Sequence, residues 1–251
     1  MRRTSNSLKW KISRLFKYSN SCRWSDNAIF FHSWRCLCLA GLCQTVIDKG
    51  VKMEIYAHRG LWQLPIYQNS IGAISDAFNL GFGNEIDLRT YNGKLVVSHD
   101  SENLQGKINL EQVVDKNSLF ALNIKEDGLL ENIGHILDEI RISGSFFFDG
   151  SIPQMYEYYK NNVPHALRLS EFESSLPWNP HFLWIDAFET DWWIGDKIIL
   201  NYLDKYSCIF VSPELHSREK ERAWEYLLGL KDEFEFGICT DLPVQLHELA
   251  K

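Results

Sequence analysis

From residue 53 onward the chain alternates short runs rich in β-branched and aromatic residues with stretches of helical period, and that alternation restricts it to a parallel α/β architecture. Core strands are predicted near 54–57, 84–88, 119–123, 145–149, 165–169, 182–186, 207–212 and 235–239. Eight such strands in about 200 residues predict a small (β/α)8 TIM barrel at the short end of its size range, with some helices brief or missing. A further run, 94–98, follows Asn92-Gly93, the strongest short-range hairpin signal. It is predicted to fold back along 84–88 as a β-hairpin insertion after strand 2. The first helix shows the logic of the helical stretches: Ser70 can cap it, Ile71, Ile74, Ala77 and Phe78 share a face, and Gly81 stops it. Stretches 127–140, 195–205, 218–230 and 243–250 read similarly, and Pro153 and Pro243 sit at plausible first turns.

In such a barrel the chemistry is built at the C-terminal ends of the strands. His58, Asp87, Lys125, Asp149, Asp186, Glu214 and Asp241 all fall near those ends. Three polar clusters follow one another closely: His58-Arg59-Gly60, Glu85-Ile86-Asp87 and His99-Asp100. Residues two apart on a strand share a face, so Glu85 and Asp87 project together and can reach one cation, Mg2+ or Ca2+ by the hardness of their oxygens. Two histidines titrating near neutrality are suited to moving protons, and an arginine to holding phosphate oxygens. Together they form the inventory for metal-assisted cleavage of a phosphodiester. Helix capping or loop hydrogen bonding accounts equally well for Asp186, Glu214 and Asp241. Trp192-Trp193 reads as packing at the rim.

At these residues the chain resembles the glycerophosphodiester phosphodiesterase family. That family shows a strand ending in His-Arg-Gly, a Glu-Asn-Ser/Thr helix start, a Glu-x-Asp strand and a Val-x-His-Asp segment, in this order and near this spacing. The matching pieces are Ala57-His58-Arg59-Gly60, Gln68-Asn69-Ser70, Glu85-Ile86-Asp87 and Val97-Ser98-His99-Asp100. Sphingomyelinase D type phospholipases share the same opening pattern. The resemblance implies the same barrel and a phosphoric diester hydrolase. It implies His58 and His99 as general acid and base, with Arg59 beside them and attack by a neighbouring glycerol hydroxyl or by water. It also implies a cation on Glu85, Asp87 and Asn123, and a phosphate held by Arg59 and Lys125. Two positions depart from the pattern: Gln68 stands where Glu is usual, and Asn123-Ile124-Lys125 where Glu-x-Lys is usual. An amide oxygen can still ligate, but the site loses a formal negative charge and binds a divalent cation more weakly. Asp149 is the candidate replacement carboxylate.

Charge divides the chain sharply. Residues 1–52 hold ten Lys and Arg against two Asp and Glu, which leaves 16 against 31 for residues 53–251. An acidic body argues against nucleic acid as a partner, because phosphate backbones need a basic surface. A small phosphodiester is the expected ligand. Residues 1–52 contain no apolar run long enough to span a membrane. They are expected to be a basic leader, disordered or non-functional upstream sequence ahead of a start at Met53, with a signal or membrane-surface role as the second reading. The expected location is cytoplasmic. Cys208 and Cys239 lie in apolar runs, where buried free thiols are expected. Against the enzyme stands a second reading motivated by Gln68 and Asn123: a weak or inactive barrel that binds a phosphodiester or a partner protein.

Overall fold

The computed structural model describes residues 53–114 and 117–251; the expectations for the basic leader lie outside the described residues. Its strands are β1 (Met53–His58), β2 (Gly83–Tyr91), β3 (Lys94–Val97), β4 (Phe120–Ile124), β5 (Phe146–Phe148), β6 (Ala166–Leu169), β7 (Phe182–Ile185), β8 (Ser207–Val211) and β9 (Phe236–Thr240). All but β3 run parallel in the order β5-β4-β2-β1-β9-β8-β7-β6. The two ends meet through a single parallel bridge, Phe147 to His165, with the Phe147 amide donating to the Pro164 carbonyl at 3.0 Å. The result is a nearly closed eight-stranded barrel.

The alternation of each strand divides its residues between two cores. Outward positions such as Ile86, Leu122, Phe147, Ile185, Phe210 and Ile238 pack beneath the helices. Inward positions low in the barrel are apolar: Tyr56, Ala121, Phe146, Ala166 and Ile209 cluster there, and Phe146 stacks on Phe182 with ring centroids 4.3 Å apart. Two residues further along, the inward positions are His58, Glu85, Asn123, Phe148, Arg168, Trp184 and Val211. The barrel thus has an apolar floor and a polar upper layer, set by the period of two alone.

β3 pairs antiparallel with β2, Leu88 to Val97 through Tyr91 to Lys94. Its partner is residues 88–91 rather than 84–88, because β2 continues to Tyr91 and the turn contracts to Asn92-Gly93. Both turn residues are left-handed, φ 50° and 72°, as a two-residue hairpin turn requires.

The helices are α1 (Ile71–Asn79), α2 (Leu137–Ser143), α3 (Ile152–Lys160), α4 (Lys197–Leu203), α5 (Glu221–Leu230) and α6 (Pro243–Leu249). Ser70 caps α1 by accepting from the Ala73 amide, and Ser151 caps α3 in the same way from Gln154. The stretch predicted helical over 127–140 is instead a 3-10 turn, Leu129–Asn132, followed by the short α2. Gly128, which is left-handed at φ 90°, and Gly134 punctuate that stretch, and glycine weakens helix. Between β6 and β7 the described chain forms no helix. Cys208 and Cys239 are buried free thiols. Among the described residues no helix is long and apolar enough to cross a membrane.

Candidate active site

The upper layer opens into a pocket of about 220 Å³ at the C-terminal ends of the strands, whose lining includes His58, Arg59, Glu85, Asn123, Lys125 and Asp149 from β1 to β5 and the turns that follow, and Arg168, Trp184, Asp186, Phe188 and His216 from β6 to β8 and the turns that follow. Register explains the first group. Cα partners across the sheet are His58 with Glu85 and Asp87 with Asn123, so residues distant in sequence stand side by side.

The turn after β1 is shaped by left-handed Arg59 (φ 59°) and Gly60 (φ 85°). The Arg59 amide donates to the Glu85 carbonyl at 2.8 Å and to Glu85 Oε2 at 3.3 Å. Its guanidinium lies 3.0 Å from Asp87 Oδ2 through Nε and donates to Gln68 Oε1 at 3.1 Å. Gln68 thus accepts from Arg59 in neutral form, where a glutamate would pair with it as an ion. Asn69, also left-handed, clamps Asp87 from both ends: its Nδ2 donates to Oδ2 at 2.8 Å and its Oδ1 accepts the Asp87 amide at 3.3 Å. Lys125 Nζ lies 3.1 Å from Asp87 Oδ1. Burial works against ionisation of Asp87, but Lys125 and Arg59, with the Asn69 hydrogen bond, outweigh it and hold the carboxyl below its ordinary range.

Glu85 is treated differently. It is buried beside the Asp87 carboxylate, and both effects push its pKa up to about 7, against the partial relief of His58, Lys125 and Arg59. Asn123 Nδ2 donates to Glu85 Oε1 at 3.1 Å. His58 Nδ1 lies 2.7 Å from Asp241 Oδ1, and its Nε2 is 3.8 Å from Glu85 Oε2. Burial disfavours its protonation, but the Asp241 hydrogen bond and the charges of Glu85 and Asp241 overcome this and raise its pKa. Asp149, the candidate replacement carboxylate, lines the pocket but is paired with Arg168 at 3.1 Å, and burial raises its pKa in spite of that partner.

Among the described residues no group of three or more His, Cys, Asp or Glu side chains is arranged to hold a metal ion. The donor chemistry still fits one hard cation. Glu85, Asp87 and Asn123 are adjacent and buried, and the Asn123 amide oxygen is buried with no hydrogen-bond partner. An amide oxygen in place of a third carboxylate makes this a weak set.

His99 does not line this pocket. It borders a separate depression with Arg89, Asp100 and Lys107, its side chain about half exposed at 48 % and bonded to its neighbour Asp100 at 2.7 Å. Arg89 ties the two regions together by donating to the His99 carbonyl and the Lys125 carbonyl, each at 3.0 Å. Of the residues left open between chemistry and capping, Asp241 holds His58 and Asp186 lies 2.7 Å from His216 Nε2. Glu214 is structural, accepting from Ser212 and Thr240 hydroxyls and the Asp241 amide. Trp193 is fully buried, and Trp192 donates to the Asp186 carbonyl at 2.8 Å. Sequence reasoning missed Arg168, Trp184, Phe188 and His216. The first two follow from counting inward positions along β6 and β7; His216 lies past a strand end with no local signal.

No family model matches the sequence, and no curated protein matches it. Among solved structures, the crystal structure of glycerophosphodiester phosphodiesterase from Agrobacterium tumefaciens str. C58 superposes with a TM-score of 0.54 at 13% identity, covering 78% of this chain and 100% of that one. At that identity the likeness speaks for the backbone alone. In fold, this chain is therefore similar to a glycerophosphodiester phosphodiesterase.

Proposed function

We propose that the protein hydrolyses phosphodiester bonds, with a glycerophosphodiester-type compound as substrate. The observation that carries this reading is the cluster at the mouth of the barrel, in which a histidine held by Asp241, the Glu85 carboxylate, and Arg59 and Lys125, both on the buried Asp87, line one small pocket. Arg59 and Lys125 are both on Asp87, so each is pre-positioned to take up phosphate oxygens at little ordering cost. His58 has one nitrogen fixed by Asp241 and the other facing no closer partner than Glu85, which is the state a proton-transfer group needs. A divalent cation held by Glu85, Asp87 and the Asn123 amide oxygen would supply neutralisation of charge on a non-bridging phosphate oxygen. The similarity in fold to a glycerophosphodiester phosphodiesterase supports the same reading.

The test is turnover by the full chain of glycerophosphocholine and related diesters, and of bis(p-nitrophenyl) phosphate, with Mg2+, Ca2+, Mn2+ or EDTA. Turnover is expected to be metal-stimulated and to fall at least ~100-fold in kcat in His58→Ala. A second reading, a barrel that binds a phosphodiester without cleaving it, is favoured by one observation: both oxygens of Asp87 are already engaged by Arg59, Lys125 and Asn69. A folded protein inactive with every metal would establish it over the first.

A further inference from the structure

Apolar side chains stand exposed at the end of the barrel where the pocket opens. The connector from β1 to α1 leaves the sheet at His58 and Arg59, both of which line that pocket. Its residues Gln63 to Tyr67 are exposed one after another, Ile66 at 83 %, and Leu64, Tyr67 and Ile71 at the start of α1 are each at least half exposed. Phe172, in the turn after β6, is exposed as well, with its ring 5.9 Å from that of the pocket-lining Phe188. Singly exposed apolar side chains need no explanation, but a run of them beside a pocket marks an interaction surface. We infer that the connector from β1 to α1 is an interfacial anchor, which docks the mouth of the barrel onto a zwitterionic lipid surface.

Three features of the connector suit it to lipid. In a chain that is 24% charged, the run from Gly60 to Ser75 contains no Asp, Glu, Lys, Arg or His, so it enters an apolar layer with no charge to desolvate. Its tip also satisfies much of its own backbone. Pro65 has no amide hydrogen, and around the 3-10 turn Pro65–Tyr67 the Tyr67 amide donates to the Leu64 carbonyl at 2.9 Å and the Gln68 amide to the Pro65 carbonyl at 3.1 Å. Backbone that leaves water needs such internal pairing. Third, the connector is already ordered. The Trp62 indole donates to the His58 carbonyl at 2.9 Å, Gln68 accepts from Arg59 at 3.1 Å, and the Asn69 amide donates to the Arg59 carbonyl at 2.9 Å. Little conformational freedom is left to lose on docking. Trp62 and Tyr67 flank Leu64, Pro65 and Ile66, and amphipathic rings of this kind settle at the level of lipid headgroups.

Charge selects the kind of surface. Residues 53–251 carry 16 Lys and Arg against 31 Asp and Glu, so this part of the chain is repelled by an anionic membrane and by a second copy of itself. A zwitterionic surface imposes no such cost. Five successive exposed residues also make a convex tip, which sinks into a soft layer more readily than it fits a rigid partner. The headgroups of such a layer are themselves phosphodiesters, brought by the anchor to the mouth lined by Arg59 and Lys125. Docking of this kind does not require that the diester be cleaved.

The experiment is flotation of the full chain with vesicles of pure dioleoylphosphatidylcholine, in which the basic residues 1–52 meet no anionic lipid, and with vesicles that also contain dioleoylphosphatidylserine. Wild type is compared with the double variant Leu64→Ser, Ile66→Ser, with Ile66→Ser alone, and with Ile142→Ser as a control. Ile142 is 69 % exposed near the end of α2 that leads into β5, away from the mouth. All these positions are exposed, so each variant should fold, and thermal melts check it; Ile66→Ser repeats the test with the smallest change. Wild type and Ile142→Ser should float equally with pure phosphatidylcholine, and the double variant should bind at least ~10-fold more weakly. A wild type that stays behind, or a folded double variant that floats as well as wild type, overturns the anchor. Flotation only with phosphatidylserine, unchanged in the double variant, assigns the attraction to residues 1–52 and overturns it too. Sedimentation without lipid covers the remaining occupant: self-association of wild type that the double variant loses would make the tip a contact between copies, against the lipid assignment.

Discussion

Glu85 is 1 % exposed and lies beside the ionised Asp87, so its own ionisation costs the fold stability. Its pKa stands at about 7 in the folded chain against an ordinary value of 4.5. Below pH 4.5 the group is protonated in both states and contributes nothing. As pH rises from 4.5 toward 7 the unfolded chain releases a proton that the folded chain keeps, so stability is lost through that window and stays lost above it. Glu85→Gln removes the penalty. With metal chelated, the variant should gain a few °C in Tm relative to wild type at pH 8 compared with the same difference at pH 4.5. Melting curves at the two pH values decide it: a difference that does not change with pH would show that Glu85 is ionised throughout, with Asn123 and His58 compensating its charge.

The connector from β1 to α1 is the element that assembles the phosphate side of the pocket. Leu61 donates to the Ala73 carbonyl and Asn69 to the Arg59 carbonyl, which folds the connector onto the first turn of α1. Gly60 makes that contact possible: a Cβ there would lie 2.7 Å from the Ala73 carbonyl carbon, and its φ of 85° is left-handed. Gly60→Ala is expected to cost about 2 kcal/mol or more and to raise KM for the diester, since Arg59 is the adjacent residue. Urea unfolding and steady-state kinetics on the same preparation check both, and an unaltered unfolding midpoint would refute the packing argument. Elements of this kind were legible in the sequence because their signals are local. Seven of the eight core strands fall within a residue of their predicted bounds since buried parallel strands read as apolar runs, while β2 runs three residues past its predicted end, and His58, Arg59, Glu85, Asp87 and Lys125 could be picked out because they stand on or just past three of them. The pairing of His58 with Asp241 was not legible: 183 residues separate them, and only the placement of β9 beside β1 joins them. His216 was missed for the same reason, its partner Asp186 lying on a different strand.

At the scale of the whole molecule the barrel has one weak seam. β5 has three residues, and it meets β6 through the single bridge of Phe147 with His165. His165 is fully buried there, with Nδ1 2.8 Å from the Val163 carbonyl and Nε2 accepting the Trp178 indole N–H at 3.0 Å. An indole nitrogen only donates, so Nε2 must carry a lone pair and the ring must be neutral. Burial, with a smaller contribution from His181, lowers its pKa to about 4 from 6.5 in spite of the Val163 hydrogen bond. Since the folded value lies below the unfolded one, His165 contributes stability above pH 6.5 that is lost as pH falls through 6.5 toward 4, when the unfolded chain takes up a proton that the seam cannot accommodate. Acid should therefore open the barrel between β5 and β6 first. Hydrogen exchange is expected to show the Phe147 amide losing protection at a higher pH than amides of β1 and β9, whose pairing extends over five residue pairs. His165→Gln should be less stable than wild type at pH 7 by about 1 kcal/mol for the lost ring contacts, yet its Tm should fall less between pH 6.5 and pH 4.5. Parallel Tm curves for the two proteins would mean that the seam does not govern the acid response, leaving the cluster at the mouth of the barrel to account for it.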